Sequence, residues 1–122
     1  MLRLPYRPES AAAARSLVRA KLIEWGLPGL VDDALLIVSE LTANAVRTGC
    51  QTYMIVGIRH PTTGTVRLLV SDGSASVPVR IDAGPDAVSG RGLDLVHHLT
   101  NGRWGTQLWR RGKVVHADLP AC

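Results

Sequence analysis

The stretch Ser39–Val46, which reads SELTANAV, decides the fold class of this chain. It lies inside an apolar-periodic segment that runs from about Leu30 to Arg47. At about 100° per residue, the apolar side chains of that segment gather on one side of a helical wheel. They are Leu30, Ala34, Ile37, Val38, Leu41 and Ala45. The segment therefore predicts a helix with one face buried in the core.

Two polar residues lie at the edge of this apolar stripe. Glu40 and Asn44 are one helical turn apart, so their side chains share a face and can address one ligand. The carboxylate could orient or deprotonate a water or hydroxyl, and an amide oxygen suits Mg²⁺, which also shares phosphate oxygens. The same pair fits the solvated rim of an amphipathic helix equally well. The choice depends on the rest of the chain.

Composition favours an ordinary globular protein. The chain has 122 residues, of which 46% are hydrophobic and 20% charged, so we expect a single domain spanning residues 1–122. No apolar run is long enough to cross a bilayer, and Met1–Pro5 lacks the layout of a signal peptide. Cys50 and Cys122 are too few for a disulfide framework. We expect a cytoplasmic protein with free thiols and no membrane partner.

The charge pattern gives little support to a nucleic-acid partner. The formal net charge is +4, but no run of five or six basic residues occurs. We interpret the densest cluster, Trp109–Lys113, as a hairpin turn whose charges are solvated. An acidic protein or a polyphosphate would use the same charge equally well. Nucleic-acid binding is therefore the least favoured class of function.

The pattern of periodicity and turn residues predicts eight elements. Ser10 is the expected N-cap of the first helix, and Gly26 ends that helix. In chain order we predict a strand over 2–6, helices over 10–25 and 30–47, strands over 51–60 and 65–71, a helix over 93–99, and strands over 103–110 and 114–119. This order predicts an α/β (α+β) two-layer sandwich with a mixed, mostly antiparallel sheet and helices on one face.

Two further features point to a ligand site. Asp72 stands where a central strand gives way to a loop, a common place for a ligand-binding carboxylate. Gly90–Gly92 opens a helix, where unsatisfied backbone N–H groups and the helix dipole favour phosphate. The motif is not a dinucleotide-binding fingerprint, because it follows a loop and lacks a third glycine.

Taken in order, these motifs resemble those of the GHKL (Bergerat-fold) ATP-binding family. The most similar branch is the small, single-domain, anti-sigma-factor-like ATPases and serine kinases of bacteria. Glu40–Val46 looks like the N box of the family, Asp72 like the aspartate of its first Gly box and Gly90–Val96 like its second. Trp104–Leu119 is similar to the closing hairpin. The resemblance covers nearly the whole chain.

The resemblance implies roles for individual residues, with ATP and Mg²⁺ as cofactors. Glu40 would be the general base, Asn44 the Mg²⁺ ligand, and Asp72 the acceptor for the adenine amino group. An ionised aspartate only accepts hydrogen bonds, so it would pair with an amine and reject the carbonyl of guanine. The other residues expected to line the nucleotide are Ser74, Gly90, Arg91, Gly92 and Leu93.

Four positions depart from the family pattern. Ser74 and Ser76 stand where the first Gly box usually has glycines, and Thr48 replaces a common histidine. Val114 replaces a threonine whose hydroxyl we expect near Asp72. These departures bear more on catalysis than on binding.

Three functions follow as hypotheses. The first is a regulator that binds Mg·ATP, phosphorylates a serine on an anti-anti-sigma (STAS-type) protein and sequesters a sigma factor. The second is a binding module of the same fold that holds nucleotide weakly or not at all, and the third is a small basic nucleic-acid binder. The sequence leaves open whether the chain forms a homodimer. We also expect the segment Ala75–Ser89 to close over bound nucleotide.

Overall fold

Helices and strands follow one another in the predicted order. A computed structural model describes residues 1–48, 53–72, 91–109 and 112–121. In chain order the elements are β1 (Leu2–Leu4), α1 (Ser10–Glu24), a single 3₁₀ turn (Pro28–Leu30), α2 (Val31–Thr48), β2 (Met54–Thr62), β3 (Thr65–Asp72), α3 (Arg91–Thr100), β4 (Trp104–Trp109) and β5 (Gly112–Pro120). Among the described residues, no helix is long and apolar enough to cross a membrane.

The strands form one sheet in the order β1-β2-β3-β5-β4. Each pairing between these described strands is antiparallel. The two-layer fold is confirmed, and its sheet is antiparallel where a mixed one was expected. The connections explain why the sheet is antiparallel. The pairs β2–β3 and β4–β5 are each formed by consecutive strands. The crossover through α3 then places β5, rather than β4, beside β3, and β5 runs antiparallel to β3.

The core lies between the sheet and the helices. Alternate residues of β3 and β5 point toward the helices, as the period of a strand requires. Those of β3 are Val66, Leu68, Val70 and Asp72, and those of β5 are Lys113, Val115, Ala117 and Leu119. The buried face of α2 supplies Ala34, Ile37, Val38, Leu41 and Ala45, as its periodicity predicts. Burying each large aliphatic side chain contributes about 1.5–3 kcal/mol.

The helices lie side by side over the sheet. Helix α1 contacts β1 and β2, α2 contacts β3, and α3 contacts β4 and β5. Helix α2 packs against both α1 and α3. The boundary between α2 and α3 therefore lies above the β3–β5 pair.

Strand register fixes which chain segments meet at one end of the sheet. Ser71 pairs with Ile55 on one side and Val114 on the other, so β2 and β5 begin where β3 ends. Helix α2 ends at Thr48, only six residues before β2 begins at Met54. The last turns of α2 therefore lie at this end, which we call the cleft end.

A hydrogen bond joins the second half of helix α3 to β4. Trp104 Nε1 donates to His97 Nδ1 at 3.2 Å, and Trp104 pairs with Ala117 in β5. Ala117 is four residues along β5 from Lys113, toward the far end of the sheet. The second half of α3 is held there, so its first turn points toward the cleft end.

The expected N-cap of α1 is wrong. Ser10 is the first helical residue, and Glu9 precedes it without a side-chain capping bond. The Ser10 hydroxyl donates to the Pro5 carbonyl at 2.7 Å. It ties the helix to the chain that enters it from β1, instead of accepting from the first turn.

Candidate functional site

The two polar flanks of α2 have different surroundings. One flank meets α1, where Arg15 Nη1 donates to Ser39 Oγ at 3.2 Å. The helical wheel places Glu40 and Asn44 on the other flank, toward α3. Glu40 is half-buried and Asn44 is buried, with 6% of its surface exposed. The structure thus places both predicted residues on the edge of the buried face that looks toward α3.

Asn44 has a charged neighbour on its own helix. Arg47 Nη2 donates to Asn44 Oδ1 at 3.3 Å. The amide oxygen therefore points to the polar side of α2, although the residue is buried. Sequence reasoning did not single out Arg47; the available signal was its position three residues after Asn44, which puts the two on one face. Arg47 therefore adds a positive charge beside the amide oxygen of Asn44.

Asp72 ends β3 on the face covered by the helices. Its Cα partner in β5 is Lys113, whose Nζ lies 3.1 Å from each carboxylate oxygen. The Lys113 side chain is 0% exposed and that of Asp72 is 1% exposed. The expectation that the charge of Lys113 is solvated is wrong, because strand alternation puts this residue on the inner face with Val115.

The expected effect of Val114 is also wrong. Val114 pairs with Ser71 and lines a shallow pocket on the outer face of the sheet with Ile55 and Leu69. A side chain at this position points away from Asp72. The residue of β5 that faces Asp72 is Lys113, one position earlier, so a threonine at 114 would not have supplied a hydroxyl there.

The first turn of α3 completes the cleft end. Arg91 begins the helix, and Leu93 is buried with 6% of its surface exposed. The first backbone N–H groups of a helix have no partner within it and attract anions. Arg91 and Gly92 therefore carry such N–H groups. The predicted site residues Ser74 and Gly90 and the segment Ala75–Ser89 lie outside the described residues.

The structure brings three separated segments to one end of the sheet. The flank of α2 offers a carboxylate and an amide oxygen, the end of β3 offers a buried carboxylate, and the start of α3 offers backbone N–H groups. Within the described ranges, no three His, Cys, Asp or Glu side chains are grouped to hold a metal. A single amide oxygen instead fits Mg²⁺ that shares its remaining positions with phosphates and waters.

A layer of helices on one antiparallel sheet, with these polar groups at one end, fits the architecture of a nucleotide-binding domain. The sequence matches the family model of the histidine kinase-like ATPase domain over residues 4–103, and the chain belongs to that family. The resemblance to the GHKL ATPases is thereby confirmed. ATP, usually with Mg²⁺, is the ligand of the family.

A solved structure has the same fold. It is the histidine kinase domain from the Erythrobacter litoralis EL346 blue-light activated histidine kinase, with a TM-score of 0.50 and 24% sequence identity. The match covers 75% of this chain and 44% of that chain, so this chain spans less than half of the kinase structure. Comparison with curated proteins found no significant match.

Proposed function

We propose that this chain binds Mg·ATP at the cleft end and acts as a regulator of the anti-sigma-factor and serine-kinase type. The observation that supports the proposal is the burial of two polar residues, Asn44 on α2 and Asp72 at the end of β3, with half-buried Glu40 one turn before Asn44. Membership of the histidine kinase-like ATPase family supports ATP as the nucleotide. The resemblance to the anti-sigma branch supports a serine as acceptor.

Each residue has one task in this proposal. Asp72 would accept from the adenine amine, and the amide oxygen of Asn44 would hold Mg²⁺, which would neutralise charge on the phosphates. Backbone N–H groups of Arg91 and Gly92 would contact the phosphates.

The transfer itself is a proton transfer coupled to phosphoryl transfer. Glu40 takes the proton from a serine hydroxyl of the partner protein. The serine oxygen forms a bond to the γ-phosphorus as the bond from that phosphorus to the oxygen of the leaving ADP breaks. The products are phosphoserine and ADP, with the proton on Glu40.

The partners in this proposal are an anti-anti-sigma protein of the STAS type, which carries the serine, and a sigma factor, which the unreacted regulator sequesters. A second copy of the chain is a further proposed partner. The partner classes rest on the resemblance stated above, since partner identity is a property of surfaces rather than of the fold.

Labelled phosphoryl transfer tests the proposal. The chain is incubated with γ-labelled ATP, Mg²⁺ and candidate STAS proteins, and transfer to serine is expected. Glu40→Ala should retain ATP binding and lower transfer by roughly 10²–10⁴-fold. Asp33→Asn, on an exposed position in the first turn of the same helix, is the matched control and should transfer normally. Equal transfer by Glu40→Ala and the control would remove Glu40 as the base.

A binding module without catalysis is the second candidate. The ion pair of Asp72 with Lys113 favours it, because the carboxylate meant for adenine already has a cationic partner 3.1 Å away. Such a module should bind its protein partner with the same affinity in the presence and absence of Mg·ATP. A nucleotide-dependent change in partner affinity would exclude it.

A further inference from the structure

The Asp72–Lys113 pair is not explained by stability. Both side chains are closed to water, and their neighbours along the inner faces of β3 and β5 are Val70 and Val115. Removing two charges from water costs several kcal/mol per ion, and well-packed apolar residues often replace a buried pair at no loss of stability. A pair in such surroundings is therefore a candidate for a role in binding.

The pair places a donor beside an acceptor. Lys113 is directly opposite Asp72 in the β3–β5 ladder, so its ammonium group and the carboxylate lie side by side at the cleft end. An ammonium group only donates hydrogen bonds, and an ionised carboxylate only accepts them. A ligand edge that suits the pair must offer a hydrogen-bond donor next to an acceptor, in the order that sets the donor against Asp72.

A 6-aminopurine has such an edge, with the N6 amine as donor and the neighbouring N1 as acceptor. A 6-oxopurine has the opposite pattern, an acceptor oxygen followed by a protonated N1. When the carboxylate of Asp72 faces position 6 and the ammonium of Lys113 faces position 1, a 6-oxopurine sets its acceptor oxygen against the carboxylate. Its N1–H donor then faces the ammonium, which is also a donor. Unpaired polar groups of this kind are strongly rejected in a buried site.

We propose that Lys113 is a second base-reading residue, which donates to purine N1 while Asp72 accepts from the N6 amine. The proposal rests on the proposed binding of ATP and names the residue that reads the neighbouring atom of the base. No other described β5 side chain is placed for this task, since Val114 points to the outer face. Because both side chains are closed to water, the base must open this end of the fold to reach them.

Nucleotide analogues test the contact in the wild-type chain, where folding is not in question. In 1-deaza-ATP a C–H replaces N1, and in 7-deaza-ATP the same replacement lies on the other edge of the base. Competition against a fluorescent ATP analogue measures their affinities. We expect 1-deaza-ATP to bind about ten- to a hundredfold more weakly than ATP, as for a lost hydrogen bond to a charged group. The 7-deaza analogue should bind as ATP does.

A variant pair assigns the effect to Lys113. In Lys113→Met the difference between ATP and 1-deaza-ATP should vanish, while Lys21→Met, at a half-buried position of α1, should keep it. Circular dichroism checks that each variant is folded. If Lys113→Met does not fold, the comparison of ATP with 1-deaza-ATP in the wild-type chain decides the question. Equal affinity of the wild-type chain for ATP and 1-deaza-ATP would overturn the inference and leave the proposed function standing. A chain that binds no adenine nucleotide would overturn the proposed function, and this inference with it.

Discussion

Asp72 shows how far a single residue can be understood from sequence. Its place at the end of an apolar strand predicts a buried carboxylate at the edge of a loop. Its partner could not be predicted, because Lys113 is 41 positions away and only strand pairing brings the two together. Strand alternation could have placed Lys113 inward, had the first residue of β5 been known. The basic residues around it made a solvated turn the simpler interpretation.

Asp72→Asn tests the adenine-reading role. The amide should weaken ATP binding by about 1–3 kcal/mol, because a charged acceptor that faces an amine is lost. It should also lower the free energy of unfolding by about 3–5 kcal/mol, since the buried ammonium of Lys113 loses its counter-charge. Calorimetry gives the affinity and urea unfolding the stability, with Asp33→Asn as the exposed control. An unchanged ATP affinity in folded Asp72→Asn would show that another group reads the base.

A second ion pair should make stability depend on pH. On the outer face of the sheet, Arg67 Nε and Nη2 donate to the two carboxylate oxygens of Asp118 at 2.8 and 3.0 Å. The hydrogen bond from Arg67 holds the pKa of Asp118 below its ordinary value, and the positive charge of Arg67 adds to the effect. A depressed carboxyl pKa contributes stability above the ordinary pKa of about 3.9, and that stability is lost as the pH falls through the lower folded value.

Asp118→Asn should therefore flatten the acid side of the stability profile. The pair is partly exposed, so we expect a contribution of only about 0.2–1 kcal/mol near neutral pH. Urea unfolding at about pH 7 and about pH 3 measures it, and the wild-type chain should lose more stability between the two than the variant does. The same loss in both proteins would show that the pair does not couple folding to protons.

At the scale of elements, α2 was the most predictable part of the chain. Its apolar stripe is long and regular, and the residues predicted to be buried within the helix are buried. Leu30 is the exception in position, since it lies in the 3₁₀ turn before the helix and is only partly buried. The predictions that were wrong concern tertiary contacts. The hydroxyl of Ser10, for example, bonds to Pro5 instead of capping α1.

Two leucines of α2 give a matched test of this buried face. Leu41 is 1% exposed and Leu36 is 48% exposed on the same helix. Leu41→Ala should lower the free energy of unfolding by about 2–5 kcal/mol, because it removes buried methyl groups and leaves a cavity. Leu36→Ala should change it by less than about 0.5 kcal/mol. Chemical denaturation of both variants measures the difference, and equal losses would mean that the orientation of α2 is wrong.

At the scale of the whole molecule, the order of elements and the two layers were predictable from periodicity. The insertion of β5 between β3 and β4 was not, because sequence order alone does not say which edge a hairpin joins. That insertion is what sets Lys113 opposite Asp72. Several expectations stay predictions. They are the contributions of Ser74 and Gly90 to the site, the extent of the domain, the cytoplasmic location and the homodimer.

Isothermal titration of the chain with ATP in the presence of Mg²⁺ tests the central claim most directly. The site at the cleft end predicts saturable binding of one ATP per chain. GTP should bind far more weakly, because its O6 acceptor faces the carboxylate of Asp72 and its N1–H donor faces the ammonium of Lys113. Saturation by ATP with rejection of GTP is the predicted result. No saturable binding of ATP, or equal binding of ATP and GTP, would contradict the account.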